Sequence, residues 1–270
     1  MFLELEAPVV MGVLNVTPDS FSDGGEFFKL DAALKQAEKM VKAGAAIIDV
    51  GGESSRPGAR SINADEEIDR ILPVIETIKN EFEVLVSVDT YRERVARTAV
   101  LEADADIVND ISALRFSDQM ADTIAKLEVP VILMHIKGTP ENMQKDPFYK
   151  DLIPELKQYF HAAIDFALSK GIKKEKVIID PGIGFGKRLQ DNIEIVKKLH
   201  EFEEFELPIS MGLSRKSFLG AISDEPDPVK REAETITANI IAILNGVSII
   251  RVHNVENAVK SIKVLKQLAG

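Results

Sequence analysis

The chain has 270 residues, 45% of them hydrophobic and 29% charged, the balance of an ordinary globular protein and a length that barrels of alternating strands and helices use as one unit. Its formal net charge of -11 argues against nucleic-acid or anionic-membrane partners, so any cations that face an anionic substrate must be local. The absence of cysteine excludes disulfides, thiolate metal sites and cysteine nucleophiles and fits a reducing cytoplasm, while the opening MFLELEAPVV lacks the pattern of a signal peptide and no stretch approaches the roughly 18 apolar residues of a membrane span.

Short runs rich in Val and Ile predict eight strands, at 9–14, 46–50, 85–88, 107–108, 131–134, 177–179, 209–211 and 248–252, the fourth and seventh being weak on length alone. Being continuously apolar, most of them suit parallel strands covered by helices on the outer face. Helical periods fill the intervals. Ile68, Ile71, Leu72, Ile75 and Ile78 share one face of a helix that Asn63 and Glu66 are spaced to open as a capping box, and Pro73 predicts a kink within it. Val255, Val259, Ile262 and Leu265 form the stripe of a last packing helix, and Gly44 and Gly171 stand where helix ends need a left-handed residue. The alternation predicts a (β/α)8 TIM barrel over 1–270 as a single domain, since no linker or change of composition divides the chain. Three connections exceed the usual length, at 15–30, 51–64 and 135–151, and long loops in a compact barrel are usually functional.

Polar residues stand where the strands end: Asn15, Asp49, Asp89, Asn109, His135, Asp180, Arg251 and His253. In a barrel those ends converge on one mouth, where working groups collect. A single acidic strand end can instead cap the next helix, but Arg and His cannot cap an N-terminus. Arg251 and His253, two apart, point to the same side and suit a phosphate or diphosphate; the alternative for Arg251 is a salt bridge with a barrel carboxylate. SRKSF at 214–218 adds Arg215 and Lys216 after the seventh strand, where barrels commonly bind phosphate.

GIGFGK at 182–187 has neither dinucleotide nor P-loop spacing and reads as a tight turn beneath Asp180, with Phe185 as a flat wall; Met134 is a second wall or a core residue. His135, His161, His200 and His253 show no metal-binding spacing, and His161 and His200 are expected at the surface. A Mg2+ held through the Asn15 oxygen and substrate phosphates remains open.

Two segments, MGVLNVTPDSFSDGG at 11–25 and IIDVGGESSRPGA at 47–59, closely resemble the signatures of the dihydropteroate synthase family. The resemblance continues in order through SVDTYR at 87–92, VNDIS at 108–112, LMHIKGTPENMQ at 133–144, IIDPGIGFGK at 178–187, MGLSRKSFLG at 211–220 and RVHNV at 251–255. The one clear departure is Ser55, where the family often has Thr; the hydroxyl is kept.

What the resemblance implies is a folate-pathway transferase that joins p-aminobenzoate to (7,8-dihydropterin-6-yl)methyl diphosphate, releasing diphosphate. It assigns Asp89, Asn109 and Asp180 to a pterin pocket with Lys216 on the ring, and Arg251 and His253 to the diphosphate. Asn15 goes to Mg2+, and Ser55 and Arg56 to the second substrate loop. Pro57, Ser214 and Lys216 fall to the p-aminobenzoate site, with Met134 and Phe185 lining the substrates. Loops closing over the pterin diphosphate would make binding ordered, and a homodimer is expected from the family and from the prevalence of two-fold oligomers. A pterin-binding methyltransferase acting on methyltetrahydrofolate is the nearest rival, and a non-catalytic binding barrel a more distant one. The methyltransferase would not need a diphosphate site, so SRKSF, the Arg251 and His253 pair and ESSRPG favour the synthase over it, while the binding barrel would hold pterin diphosphate without turning it over.

Overall fold

The computed structural model describes residues 6–17, 26–54 and 61–269, apart from the side chains of 26–29. Strands and helices alternate along them: β1 (Val9–Asn15), α1 (Glu26–Ala43), β2 (Ile47–Gly51), α2 (Ala64–Glu81), β3 (Leu85–Asp89), α3 (Glu93–Ala103), β4 (Ile107–Asp110), α4 (Met120–Leu127), β5 (Val131–Met134), α5 (Leu152–Ser169), β6 (Val177–Asp180), α6 (Leu189–Lys197), β7 (Ser210–Met211), α7 (Ser217–Ser223), α8 (Glu232–Leu244), β8 (Ile249–Val252) and α9 (Val255–Ala269). The strands pair in parallel in the order β6-β5-β4-β3-β2-β1-β8-β7, and a parallel bridge from Ile179 to Ile209 closes the ends. This is the expected (β/α)8 barrel, with one addition: α7 is a short helix inserted between β7 and α8.

The strands differ from their apolar runs mainly at the C-terminal ends. Asn15, Gly51, Asp89, Asp110 and Asp180 all lie within strands, because each is held by a neighbour's ladder and not by its own hydrophobicity: Asn15 pairs with Gly51, Gly51 with Asp89 and Asp89 with Asn109. β7 is the reverse case, reduced to Ser210–Met211.

Alternation along each strand divides the apolar residues into two sets. Val9, Met11, Ile47, Ile107, Ile132, Ile178 and Ile249 fill the lower barrel interior. Val10, Ile48, Val50, Val86, Val88, Val108, Val131, Leu133, Ile179 and Ile250 face the helices, where α2 contributes Ile71, Val74, Ile75 and Ile78 to the same core. Each such side chain taken from water stabilises the fold by about 1.5–3 kcal/mol. Ile68 and Leu72, on the same predicted stripe, flank it half-buried.

Asn63 caps α2 by accepting the Glu66 N–H at 2.9 Å, but Glu66 turns its carboxylate to Arg70 at 2.6 Å instead of completing a capping box. The helix continues through Pro73 to Glu81. Gly44 and Gly171 adopt the expected positive φ, 97° and 93°. His161 and His200 are exposed. Among the described residues no helix is long and apolar enough to cross a membrane.

Candidate active site

Strand parity builds the site. Asp49 lies two residues after Ile47, Asn109 after Ile107, Met134 after Ile132, Asp180 after Ile178 and Arg251 after Ile249. Each therefore shares the inner wall with an isoleucine of the interior cluster, one layer nearer the C-terminal mouth. Asp89 joins this layer through the register Gly51–Asp89–Asn109, and Met134 stands opposite Asp180.

Parity also removes two polar residues from the mouth. Asp110 faces the outer side and accepts from the backbone and hydroxyl of Ser112 at 2.7 Å each and from Leu114 N–H at 2.8 Å, so it caps the turn after β4. His135, expected among the convergent strand ends, is likewise outside: its buried ring lies edge-on to Tyr159 with centroids 4.5 Å apart. One step along a strand reverses the side, and Met134 takes the inward position.

At the floor of the mouth, Arg251 donates from Nε to Asp49 Oδ2 at 2.5 Å and from Nη2 to Asp89 Oδ2 at 2.7 Å. Asp49 Oδ2 also accepts Asn109 Nδ2 at 3.2 Å. Because a carboxylate only accepts, this contact fixes which end of the Asn109 amide faces Asp49 and leaves the amide oxygen as the other end. Arg251 thus does close a salt bridge with barrel carboxylates, yet these two bonds use two of its five N–H donors. Asp49 carries no role in the sequence reading beyond its strand-end position, and the structure makes it the hub of three strands. Its alternation with Ile47 is the sequence feature that could have exposed it.

Burial pushes the Asp89 carboxyl up to about 7, with Asp49, Glu67 and Asp110 adding to the rise and Arg251 opposing it. Burial likewise raises Asp180 to about 6, against the Gly182 N–H, Lys216, Lys187 and Arg251. Arg251 is held even more firmly protonated than an ordinary arginine by Asp49 and Asp89, although burial works the other way.

Lys216 stands at the N-cap of α7 with its ammonium 4.4 Å from the centroid of the Phe185 ring. Phe185 shares a small apolar cluster with Ile111, Met134, Ile136 and Met143, so both predicted walls belong to one surface. Ser214 Oγ lies 2.9 Å from His253 Nδ1 and orients that ring. Arg215 is tied through its backbone: its N–H donates to Thr235 Oγ1 at 3.1 Å and its carbonyl accepts Arg231 Nη1 at 3.0 Å.

The turn after β6 folds under Asp180. Gly182 N–H donates to Asp180 Oδ1 at 2.7 Å, and Gly182 has φ 69° with a Cβ position that would overlap the His135 carbonyl, so glycine alone suits it. Asn15 ends β1 half-buried, its Oδ1 3.8 Å from the point where a Cβ on Gly51 would stand. Ser55, Arg56 and Pro57 lie outside the described residues, as does most of the loop after β1.

The model of the family "Pterin binding enzyme" matches residues 11–253. Dihydropteroate synthase of Synechocystis sp. is 46% identical over 96% of this chain and 89% of its own length, and that of Escherichia coli K12 is 44% identical over 98% and 93%. Among solved structures, dihydropteroate synthase of Clostridium difficile, determined in the presence of pteroic acid, superposes with a TM-score of 0.92 at 40% identity, covering 99% of both chains. That of Xanthomonas albilineans with 4-aminobenzoic acid gives 0.93 at 38% identity over 98% of this chain and 94% of the other. An inner wall of convergent carboxylates and cations, matched in sequence and fold along nearly the whole chain, places this protein in the dihydropteroate synthase family.

Proposed function

We propose that the mouth binds (7,8-dihydropterin-6-yl)methyl diphosphate with its amino-pyrimidinone edge on Asp180, Asn109 and Asp89, and directs p-aminobenzoate at its exocyclic methylene. The observation that carries this reading is the convergence of two buried carboxylates, an oriented amide and two cations on one wall: Asp89 and Asp180, Asn109, Lys216 and Arg251. A carboxylate is the natural partner for parallel N–H donors of a pterin. Lys216 meets the ring carbonyl or a ring nitrogen, while Met134 and Phe185 cover the faces.

In the reaction the amine nitrogen of p-aminobenzoate bonds to the methylene carbon, the C–O bond to diphosphate breaks with its electron pair on oxygen, and the proton of the new C–N ammonium passes to solvent water. Arg251 and His253, with Arg56, neutralise the leaving diphosphate, and the nearby carboxylates favour positive charge on the methylene. The attacking aromatic amine is neutral near pH 7, so no protein nucleophile or strong base is required. Ser55, Pro57, Ser214 and Lys216 form the p-aminobenzoate side.

No group of three or more His, Cys, Asp or Glu among the described residues could hold a metal. The Asn15 oxygen at the mouth fits a Mg2+ that arrives with the substrate phosphates, since this ion keeps waters and takes few protein ligands. When bound, it would neutralise charge on the diphosphate. The reading includes a cytoplasmic homodimer with no nucleic-acid or membrane partner, supported by the absence of cysteine, the net charge of -11 and the general preference for two-fold assemblies.

Diphosphate release is the test: mix protein, pterin diphosphate, Mg2+ and p-aminobenzoate, and omit each in turn. Release that requires all of them, with equal dihydropteroate, is the expected result. Release without p-aminobenzoate, or transfer of a methyl group from methyltetrahydrofolate, would overturn it.

A further inference from the structure

Lys187 is almost wholly buried, 3% exposed, one turn away from the mouth. Protein groups enclose its Nζ, enough to engage all three hydrogens of an ammonium: it lies 2.8 Å from His135 Nδ1, 2.8 Å from the Gly182 carbonyl, 3.1 Å from the Phe185 carbonyl and 3.4 Å from the His135 carbonyl. Saturated in this way, it has no donor left for substrate. Its partners, however, are the groups that shape the mouth. Gly182 gives its N–H to Asp180, and Phe185 carries the ring beneath Lys216.

We propose that Lys187 is a positioning residue for the pterin site, its ammonium gathering His135 and the Gly182 and Phe185 carbonyls so that the 181–187 turn presents an amide to Asp180 and a ring to Lys216. His135, outside the mouth, gains a role here. With Nδ1 accepting from Lys187, its other nitrogen carries the proton, and burial together with the Lys187 and Arg115 cations holds it neutral. Around the ammonium stand Asp180, Lys216, Asp191 and Lys137. Around the Asp180 carboxylate stand Lys216, Lys187 and Arg251. Burial pushes the Lys187 amine well below the usual lysine range, and the ion pair with Asp180 opposes that fall. In its protonated form Lys187 is a favourable cation for Asp180, which Lys187→Met removes.

The inference rests on the pterin reading of Asp180, and the experiment separates the two. Steady-state kinetics over pH are measured for wild type, Lys187→Met, Lys187→Arg, Asp180→Asn and, as a control destabilised far from the mouth, Ile262→Ala. Lys187→Met is expected to raise KM for the pterin diphosphate on the order of tenfold, the worth of a lost charge-assisted hydrogen bond. It should also move the acid limb of kcat/KM for that substrate to higher pH, with Lys187→Arg recovering part of both changes. If Asp180→Asn leaves the pterin KM unchanged, the pterin reading fails and the inference falls with it. If Asp180→Asn acts but Lys187→Met only lowers the amount of active enzyme, as Ile262→Ala does, Lys187 is merely structural. Should Lys187→Met not fold, His135→Phe removes the ring-nitrogen partner and keeps Lys187. A raised pterin KM in that variant supports the inference, and an unchanged one overturns it.

Discussion

Arg251 on β8 and Asp49 on β2 meet inside the barrel at 2.5 Å, although β1 separates their strands. Asp49 is entirely buried, and an unpaired carboxylate there would be severely penalised. The pair therefore couples stability to the floor of the mouth, because the same Asp49 oxygen holds Asn109 and the same guanidinium holds Asp89.

Asp49→Asn keeps the shape and removes the charge. Breaking one side of a buried ion pair costs about 3 kcal/mol or more, and urea unfolding should show a loss of that order. The KM for the pterin diphosphate should rise too, as Arg251 and Asn109 lose their common anchor. Stability within about 0.5 kcal/mol of wild type would mean that Asp89 suffices to hold Arg251.

Asp180 links stability to pH. Its carboxyl is raised by burial from 3.8 to about 6, so between those values the folded state binds more protons than the unfolded chain, and this residue's contribution to stability falls as pH rises. Asp180→Asn removes that slope, and a series of urea midpoints from pH 4 to 7 should decline less steeply in the variant. Activity should run the other way: in the proposed pterin pocket both Asp180 oxygens accept N–H groups only when the carboxyl is ionised, so kcat/KM should climb through about pH 6 in wild type. A wild-type profile flat across that range contradicts the assignment.

Arg92, just before α3, ties together both stems of the loop after β2. It donates to Glu53 Oε2 at 2.6 Å, to the Ile62 carbonyl at 2.6 Å and to Glu67 Oε2 at 2.5 Å, while Tyr91 OH donates to Glu53 at 2.9 Å. Arg92→Met leaves the buried Glu67 without its cation and should cost about 3–5 kcal/mol. Burial already raises the Glu67 carboxyl, and losing Arg92 raises it further, so the deficit should be larger at pH 7 than at pH 5. Adding Glu67→Gln should recover part of it. A double-mutant cycle with no coupling would show that the cluster is not a unit.

Gly182→Ala places a methyl group against the His135 carbonyl at a left-handed backbone position. The strain alone is worth roughly 1–3 kcal/mol, and relief requires moving the turn away from Asp180. Thermal unfolding should shift down together with a loss of turnover. Wild-type turnover in a stable variant would show that the turn adjusts without consequence.

Much of the fold was legible because its cause is local. Eight apolar runs separated by amphipathic helical periods admit few arrangements besides a parallel barrel, and the stripe of α2 and the Asn63 cap follow from spacing alone. The strand ends were misjudged by one or two residues, since Asp89 and Asp180 belong to strands only through their neighbours' ladders. Glu66 was drawn from its box by Arg70, a choice between two partners that spacing cannot rank.

Within the site, sequence by itself determined which residue types stand at the strand ends and, from alternation, that Asp180 and Arg251 share the side of Ile178 and Ile249. Only the tertiary structure decided who pairs with whom. That Arg251 meets Asp49 and Asp89, that His135 turns outward to Lys187, and that Phe185 lies under Lys216 depend on how strands far apart in sequence are brought into register. Hydrogen bonds and ion pairs act over about 3 Å, and a linear pattern carries no distance between residues 202 positions apart until the barrel closes.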